Sequence, residues 1–578
     1  MESNPIASYI SIKELFPEEE ANLDVFKNYL SDISLTDSII MCARINNIIT
    51  HYNTERFNGQ QRIVEMLMSA YEISVLNNVA SRKKVGKNIV IFFRGQILEL
   101  LRWIVLYSKD KPNDGETFSS QEIRSKFLRL LLMASDIWTK RLFANWEFES
   151  EDFDNKKKIA MGSFRKSTED SSSALELAKS LGRGWLLFNK YLPLRFPSFK
   201  TLFLSTTGLT IEAYYSCLTI IITNFMRLDN TGIFNINQLD NVSSKDVLNK
   251  YFEIDCQNAQ ELRIAIWGEA FNLIDKIPDY NYRPMREKPI FKAEDGRAII
   301  LDPVFYSERL SIGPIFLLLN KACGSEIFNY FGYAFEDYGK DILNNMFNLN
   351  TNILTKRLYS NVIIKLNKGK ECEMDACLND VTELVLFEMK AVFMDDSSIL
   401  SNKSEKLIEL LNEKYGITAN TKKGVGQLAR FIEAIIKKKN EALDNCYSKI
   451  QVIYPVLLVH DTFLNTPLMG EFLSIMFREA IKPDVIQSTG GIVKGSITIK
   501  DLILMTIDEL ENLETSIQNF GFKDFLYDYT NECSDRKTSI KNFIAFSKYR
   551  DKIRQNKNLA SQGCEVLEMT KKFFYDKY

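Results

Sequence analysis

Residues 369–393 read GKECEMDACLNDVTELVLFEMKAVF, and we predict two consecutive strands in this stretch, over residues 371–378 and 384–392. Successive side chains of a strand point to opposite faces of its sheet. Glu373 and Asp375 should therefore share one face of the first strand. The stretch thus predicts a hairpin that carries acidic side chains on one face.

The second predicted strand carries two charged residues in an otherwise apolar run. Glu388 and Lys390 share one face, while Phe387 and Met389 take the opposite one. Burying a charge costs several kcal/mol unless the charge is paired or binds a metal ion. Glu388 and Lys390 therefore require either a buried ion pair or a chemical role.

The register of the hairpin decides which side chains meet. Directly opposed residues of an antiparallel pair project from the same face. A hairpin centred on Val381-Thr382 would set Asp375 against Glu388 and Glu373 against Lys390. Two carboxylates would then converge on one face, with a lysine two residues away.

Two other registers would separate these carboxylates. A shift of half a step would place Met374 opposite Glu388 and would send Asp375 to the other face. A tight turn at Asn379-Asp380 would keep the face but set Glu388 against Glu371. The prediction of a site therefore depends on the register.

Two converging carboxylates, completed by backbone or water oxygens, suit the octahedral preference of Mg²⁺, or of Mn²⁺ in its place. A metal held by Asp375 and Glu388 could polarise a phosphodiester and lower the pKa of a bound water. Lys390 would orient the attacking water and help to neutralise the developing negative charge. This chemistry predicts phosphodiester hydrolysis.

The segment resembles the PD-(D/E)xK, or restriction-endonuclease-like, nuclease superfamily. Its pattern is an Asp, a variable hairpin and then Glu-x-Lys on a small αβββαβ core, and this chain matches with Asp375, Glu388 and Lys390. Met374 stands where many members have Pro. The resemblance covers about residues 325–465 and implies a magnesium-dependent nuclease.

Two further residues fit the resemblance. Glu336, in the predicted helix 332–343, is similar to the acidic residue of the family's first helix, which implies Glu336, Asp375 and Glu388 as metal ligands. Gln427 is similar to the glutamine that follows the hairpin in several branches, which adds it to the expected catalytic residues Asp375, Glu388 and Lys390. Glu373 could be an extra ligand, a partner for Lys390 or a surface acid.

The chain should contain several domains, because 578 residues exceed the usual ~100–200 residues of one domain. Residues 1–285 are mainly helical in pattern, with a stretch over 277–289 that contains three prolines and is typical of a linker. Residues 286–520 should form the α/β nuclease-like core with a mixed sheet, and residues 521–578 a helical extension. The predicted class is α+β, multidomain.

Local patterns give more specific expectations. Residues 89–106 and 127–138 predict helices, and residues 289–303 predict a hairpin around Asp295-Gly296. A strand, a helix and a buried strand are expected over 358–366, 426–438 and 450–459. The glycines of Gly182-Arg183-Gly184-Trp185 favour a turn.

Composition excludes several chemistries. His51 and His460 are the only histidines, which disfavours HNH nucleases, HD phosphohydrolases and histidine-containing triads; we expect a structural role for His460. The cysteines form no CxxC pair, so no zinc site is indicated. No signal peptide or apolar run of ~18 residues is present, so we expect a cytoplasmic protein without membrane contact.

Together these features predict a metal-dependent endonuclease that acts on DNA. A net charge of −2 permits a local basic groove, because affinity comes from the phosphates that are contacted. By analogy with restriction or anti-phage effectors, residues 1–285 could bind a protein partner, and a homodimer is possible. An RNA-directed toxin and a catalytically inactive, nucleic-acid-binding scaffold of the same fold remain alternatives.

Overall fold

The fold is described from a computed structural model of the chain. The structure describes residues 8–51, 56–83, 89–108, 117–143, 177–225, 233–235, 245–270, 282–347, 356–365, 371–394, 404–416, 423–438, 449–461, 464–466, 468–486, 491–532, 539–554 and 556–574. These residues form a mixed α and β fold with two mixed sheets and one short parallel strand pair.

The described part of the first half is mainly helical, as predicted. Its helices are α1 Ile12–Leu15, α2 Leu23–Ser31, α3 Leu35–His51, α4 Arg56–Leu67, α5 Ala70–Lys83, α6 Arg94–Tyr107, α7 Gln121–Phe143, α8 Leu177–Leu186, α9 Leu192–Arg195, α10 Phe199–Thr207, α11 Ile211–Phe225, α12 Lys245–Asp255, α13 Ala259–Ala270 and α14 Arg283–Glu287. A π-helical turn, Leu187–Tyr191, joins α8 to α9. Helix α14 lies within the stretch expected to be a linker, whose residues 277–281 fall outside the described ranges.

The helix predicted over 89–106 begins later than expected. Ile89–Val90 is strand β2, which pairs in parallel with β1, Ser8–Tyr9. The side chain of Gln60 accepts hydrogen bonds from the backbone N–H groups of Ile91 and Phe92, both at 2.9 Å. These bonds from a distant residue hold the backbone extended until α6 starts at Arg94.

A four-stranded sheet combines segments from both sides of residue 285. Its strands are β3 Ile233–Asn235, β4 Cys256–Gln257, β5 Ile290–Lys292 and β6 Arg297–Ile300, in the order β3-β6-β5-β4. Strands β5 and β6 confirm the predicted hairpin, in which Gly296 takes a left-handed φ of 82°. The predicted domain boundary at 285 stays a prediction.

The second sheet has eight strands. They are β7 Lys356–Lys365, β8 Glu371–Asp380, β9 Glu383–Lys390, β10 Val452–Val459, β11 Val485–Ile486, β12 Ile492–Lys494, β13 Ile497–Ile499 and β14 Ile503–Thr506. The order is β11-β12-β13-β10-β9-β8-β7, and β14 also pairs with β10. Strands β7, β8 and β9 are antiparallel, while β10 runs parallel to β9. The predicted strands are therefore confirmed with small changes at their ends.

The described part of the second half also contains helices. They are α15 Pro303–Leu318, α16 Glu326–Phe347, α17 Ser404–Tyr415, α18 Val425–Lys438, α19 Met469–Ile481, α20 Ile507–Glu514, α21 Phe522–Glu532, α22 Ile540–Phe546 and α23 Lys557–Phe574. None of the helices within the described ranges combines the length and the apolar character that crossing a bilayer requires.

The two faces of the eight-stranded sheet pack into different cores. Phe387 and Met389 of β9 belong to a core that includes α16, α20 and α23. Leu384 and Leu386, which alternate with them, belong to a core that includes α17, α18 and α19. The sheet is therefore covered on both faces, and α16 and α18 lie on opposite sides of the hairpin.

The sequence Gly182-Arg183-Gly184-Trp185 lies inside α8, so the predicted turn is wrong. A side chain at position 182 would collide with the backbone carbonyl of Leu559 in α23. These glycines therefore allow close helix packing, a role that local sequence does not distinguish from a turn.

Candidate active site

The hairpin takes the register that brings the carboxylates together. Strands β8 and β9 pair from Ala376 with Phe387 to Asp380 with Glu383, so Val381-Thr382 forms the loop, as predicted. The ladder ends at Ala376 and Phe387, and continuing its register by one residue brings Asp375 level with Glu388. The backbone N–H of Met389 donates to Asp375 Oδ2 at 2.7 Å. The half-step shift and the tight turn at residues 379–380 are therefore excluded.

Glu388 is a buried carboxyl with one contacted and one free oxygen. Its side chain is 1% exposed, and Oε1 lies 2.6 Å from Lys390 Nζ. Neither oxygen has a regular hydrogen bond, so the contact of Oε1 with Lys390 is an ion pair and Oε2 has no partner. Burial raises the pKa of Glu388 to about 8, since it outweighs the opposing effect of Lys390. Glu388 is thus a carboxyl that can gain an interaction at Oε2.

Lys390 stands at the end of β9 with most of its side chain covered. Burial alone would lower its pKa, but Glu388 and Asp375 more than offset this effect and raise it. Lys390 therefore stays charged near neutral pH, next to two carboxyl groups. A fixed cation in this position can stabilise negative charge that develops nearby.

Glu336 extends the site from β9 to α16. Burial, followed by the neighbouring Asp375, raises the pKa of Glu336 to about 7, and Lys340 and Lys390 oppose the shift. Glu388 also responds to Asp375 and Glu336. The three acidic residues implied by the resemblance therefore share one electrostatic environment.

Lys340 was not among the predicted site residues. It follows Glu336 by one helical turn, and its Nζ lies 3.6 Å from Glu336 Oε2. The same Nζ donates to Asn361 Oδ1 in β7 at 2.6 Å. The spacing of four residues on a helix was a signal that could have indicated the Glu336 contact. The contact with Asn361 had no local signal.

Gln427 and Glu373, the other two candidate residues, are not in contact with the carboxyl groups of Asp375 and Glu388 within the described contacts. Gln427 Oε1 accepts a hydrogen bond from the backbone N–H of Gly424 at 3.1 Å, which caps the start of α18. Glu373 is exposed and lies near enough to Glu336 to raise its pKa. The described contacts thus give Gln427 a local structural role and leave Glu373 at the rim of the site.

His460 follows β10 and is packed against Phe331, Phe335 and Phe393, with ring centroids 5.2, 5.6 and 6.3 Å away. Burial lowers its pKa to about 3, so its imidazole stays neutral at ordinary pH. Its backbone N–H donates to the carbonyl of Lys390 at 3.0 Å. These contacts fit the structural role expected for it.

The chemistry of these side chains fits a hard divalent cation. Within the described ranges, no three His, Cys, Asp or Glu side chains are gathered closely enough to hold a metal ion. Mg²⁺ is often bound by only one or two carboxylates, with water and substrate phosphate completing its shell. The unpartnered Oε2 of buried Glu388, a carboxyl whose pKa is raised further by nearby Asp375, suits such a partial site.

The chain was compared with protein-family models, curated proteins and solved structures. No family model, curated protein or solved structure matches it.

Proposed function

We propose that this chain is a metal-dependent phosphodiesterase of the restriction-endonuclease-like type that cleaves DNA. The observation that carries the proposal is the hairpin register, which sets Asp375 beside buried Glu388, with Lys390 2.6 Å from the Glu388 carboxyl. The chain order α16-β7-β8-β9-α17-α18-β10 supports it, because it contains the αβββαβ order of that superfamily with one additional helix, α17, before α18.

Each residue has a role in this proposal. Asp375 and the free Oε2 of Glu388 would hold Mg²⁺, with Glu336 on α16 adding negative charge. When bound, the metal would supply Lewis-acid activation of the phosphodiester and of water. The Lys390 ammonium would orient the water and offset charge on the phosphate. The Met389 N–H donates to Asp375 Oδ2 and so fixes the orientation of this carboxylate.

The substrate, the location and the biological setting are proposed by analogy with restriction or anti-phage effectors. DNA is the proposed substrate, the cytoplasm the proposed location, and bacterial anti-phage defence or restriction the proposed setting. Residues 1–285 are proposed to bind an activating protein partner, and a homodimer would allow cleavage of both strands.

The test is cleavage of supercoiled plasmid in Mg²⁺ or Mn²⁺ by wild type, Asp375→Asn and Lys390→Met. Both substitutions should lower the rate by about 10²-fold or more, because each removes a group that acts on the transition state. Lys494→Met is a matched control, since the side chain of Lys494 in β12 is also largely covered and contacts a carboxylate, Glu433, at 3.3 Å. Activity that survives both site substitutions would contradict the proposed site.

One observation favours a non-catalytic alternative. Lys390 contacts Glu388 closely, and such a pair could simply satisfy a buried charge in an inactive fold. Wild type that binds DNA but cuts neither DNA nor RNA with either metal would support this alternative. Offering both nucleic acids in the same experiment also separates a DNase from an RNA-directed toxin.

A further inference from the structure

Strand β7 has an irregular residue opposite the candidate carboxylate. Its ladder with β8 pairs Ser360 with Ala376 and Val362 with Met374, so Asn361 stands opposite Asp375. Asn361 has a φ of 51°, in the left-handed region that Asn tolerates better than most residues with a side chain. The strand therefore departs from regular geometry at the position that faces the site.

The side chain of Lys340 in α16 contacts Asn361, the irregular residue of β7. Lys340 is 8% exposed, and its Nζ donates to Asn361 Oδ1 at 2.6 Å. The same Nζ lies 3.6 Å from Glu336 Oε2. Lys340 therefore links the helix that carries Glu336 to the strand position opposite Asp375.

We propose that Lys340 and Asn361 form a positioning pair that sets the separation of Glu336 and Asp375, and so the affinity of the site for a divalent metal. This inference rests on the proposed function. A side chain that orients a metal ligand commonly changes metal affinity without contacting the metal. Lys340 and Asn361 are thus positioning residues, distinct from the groups expected to act on substrate.

The test measures Mn²⁺ binding directly, by calorimetry or electron paramagnetic resonance, in Lys340→Met, Asn361→Gly and Asn361→Asp. Glycine keeps the positive φ but removes the acceptor, whereas aspartate keeps both the acceptor and the tolerance of this φ. Lys340→Met and Asn361→Gly should weaken Mn²⁺ binding about 10–100-fold, and Asn361→Asp should restore it to within about threefold of wild type.

Two readouts separate positioning from simple stability. Cleavage assays should show a raised half-saturating Mg²⁺ concentration, while the rate at saturating Mg²⁺ changes much less. Thermal unfolding confirms that each variant is folded at the assay temperature. The control Lys500→Met removes a partly buried lysine that also donates to an asparagine, Asn531 Oδ1, at 2.9 Å, and it should leave Mn²⁺ binding unchanged.

The outcomes distinguish this inference from the proposed function. Wild type that binds Mn²⁺ and cuts DNA, with folded variants of unchanged metal affinity, would overturn the positioning role alone. Weakened Mn²⁺ binding by the variants of a protein that cuts no nucleic acid would support the positioning role and refute the nuclease. Wild type that binds no Mn²⁺ would refute both.

Discussion

Binding of a divalent metal should release protons, and the affinity should rise steeply with pH. The pKa of Glu336 is raised to about 7 and that of Glu388 to about 8, so both side chains hold protons near neutral pH when no metal is bound. A divalent cation beside them favours the deprotonated forms. Metal binding therefore competes with these protons, and low pH opposes it.

The size of the effect follows from the two pKa values. At about pH 6, a group of pKa about 8 weakens binding about 100-fold and one of pKa about 7 about 10-fold, because each must first lose its proton. Together they predict an increase on the order of 10³-fold in affinity between about pH 6 and pH 9. The logarithm of affinity should rise with a slope near two below about pH 7, and near one between about pH 7 and 8.

Calorimetric titration of the protein with Mn²⁺ measures this directly. Repeating each titration in buffers of different ionisation enthalpy gives the number of protons released. Glu388→Gln removes a proposed ligand, so it should weaken Mn²⁺ binding and, at Mn²⁺ concentrations that still saturate the variant, reduce that number by about one. Lys494→Met should change neither quantity. Mn²⁺ affinity that is independent of pH, with no proton release, would refute the assignment of these carboxyl groups to the metal site.

Three further predictions concern stability. Val381→Gly should raise the free energy of unfolding by about 1 kcal/mol, because Val381 is a β-branched residue with φ of 57° in a hairpin loop; unchanged or lower stability in urea denaturation would contradict this. The folded, metal-free chain holds more protons than the unfolded chain between the ordinary Glu388 pKa of 4.5 and its folded value of about 8, so this residue should make stability fall as pH rises across that window. Glu388→Gln should remove this contribution to the dependence of stability on pH. If wild type and Glu388→Gln show the same change of denaturation midpoint with pH, the pKa of Glu388 is not raised by folding. Arg183→Met should cost about 3–5 kcal/mol, because Asp508 and Glu511 would lose their guanidinium partner; a loss below about 1 kcal/mol in the same denaturation assay would show that the contact is dispensable.

The hairpin could be predicted from sequence because its information is local. Alternating side chains correctly predicted the faces of β9, but the alternation breaks in β8, where Met374 and Ala376 pack into different cores. The sequence left three registers open, and the loop at Val381-Thr382 selects one of them. The charged pair Glu388 and Lys390 was visible because charges are rare in an apolar strand. Both features depend on residues that lie close together in the chain.

Features that depend on distant residues could not be predicted. Gln60 holds residues 91 and 92 extended from another helix, and Leu559 requires a glycine at position 182. Local patterns therefore extended a correctly predicted helix over residues 89–93, where the chain is extended, and predicted a turn at residues 182–185, which are helical. The contact of Lys340 with Asn361 was missed for the same reason, since nothing near either residue indicates the other.

The position of the candidate site is set by residues from both halves of the chain. Helix α16 carries Glu336, and two residues later its Tyr338 donates to Glu511 Oε1 at 2.7 Å. Arg183 Nε donates to the same oxygen at 2.6 Å. Tyr338, Arg183 and Glu511 are all buried, so this junction is shielded from water and holds α16 to α8 and α20.

The junction of Tyr338, Arg183 and Glu511 also helps to fix the position of Glu336. Strand β14, which ends at Thr506, runs directly into α20 and pairs in parallel with β10, the neighbour of β9. The contact through Glu511 therefore fixes α16 relative to the strand that carries Glu388 and Lys390. Because Arg183 supplies charge to that contact from residues 177–186, the first half of the chain helps to determine where Glu336 stands. A partner that shifted α8 would thus have a physical route to the candidate active site.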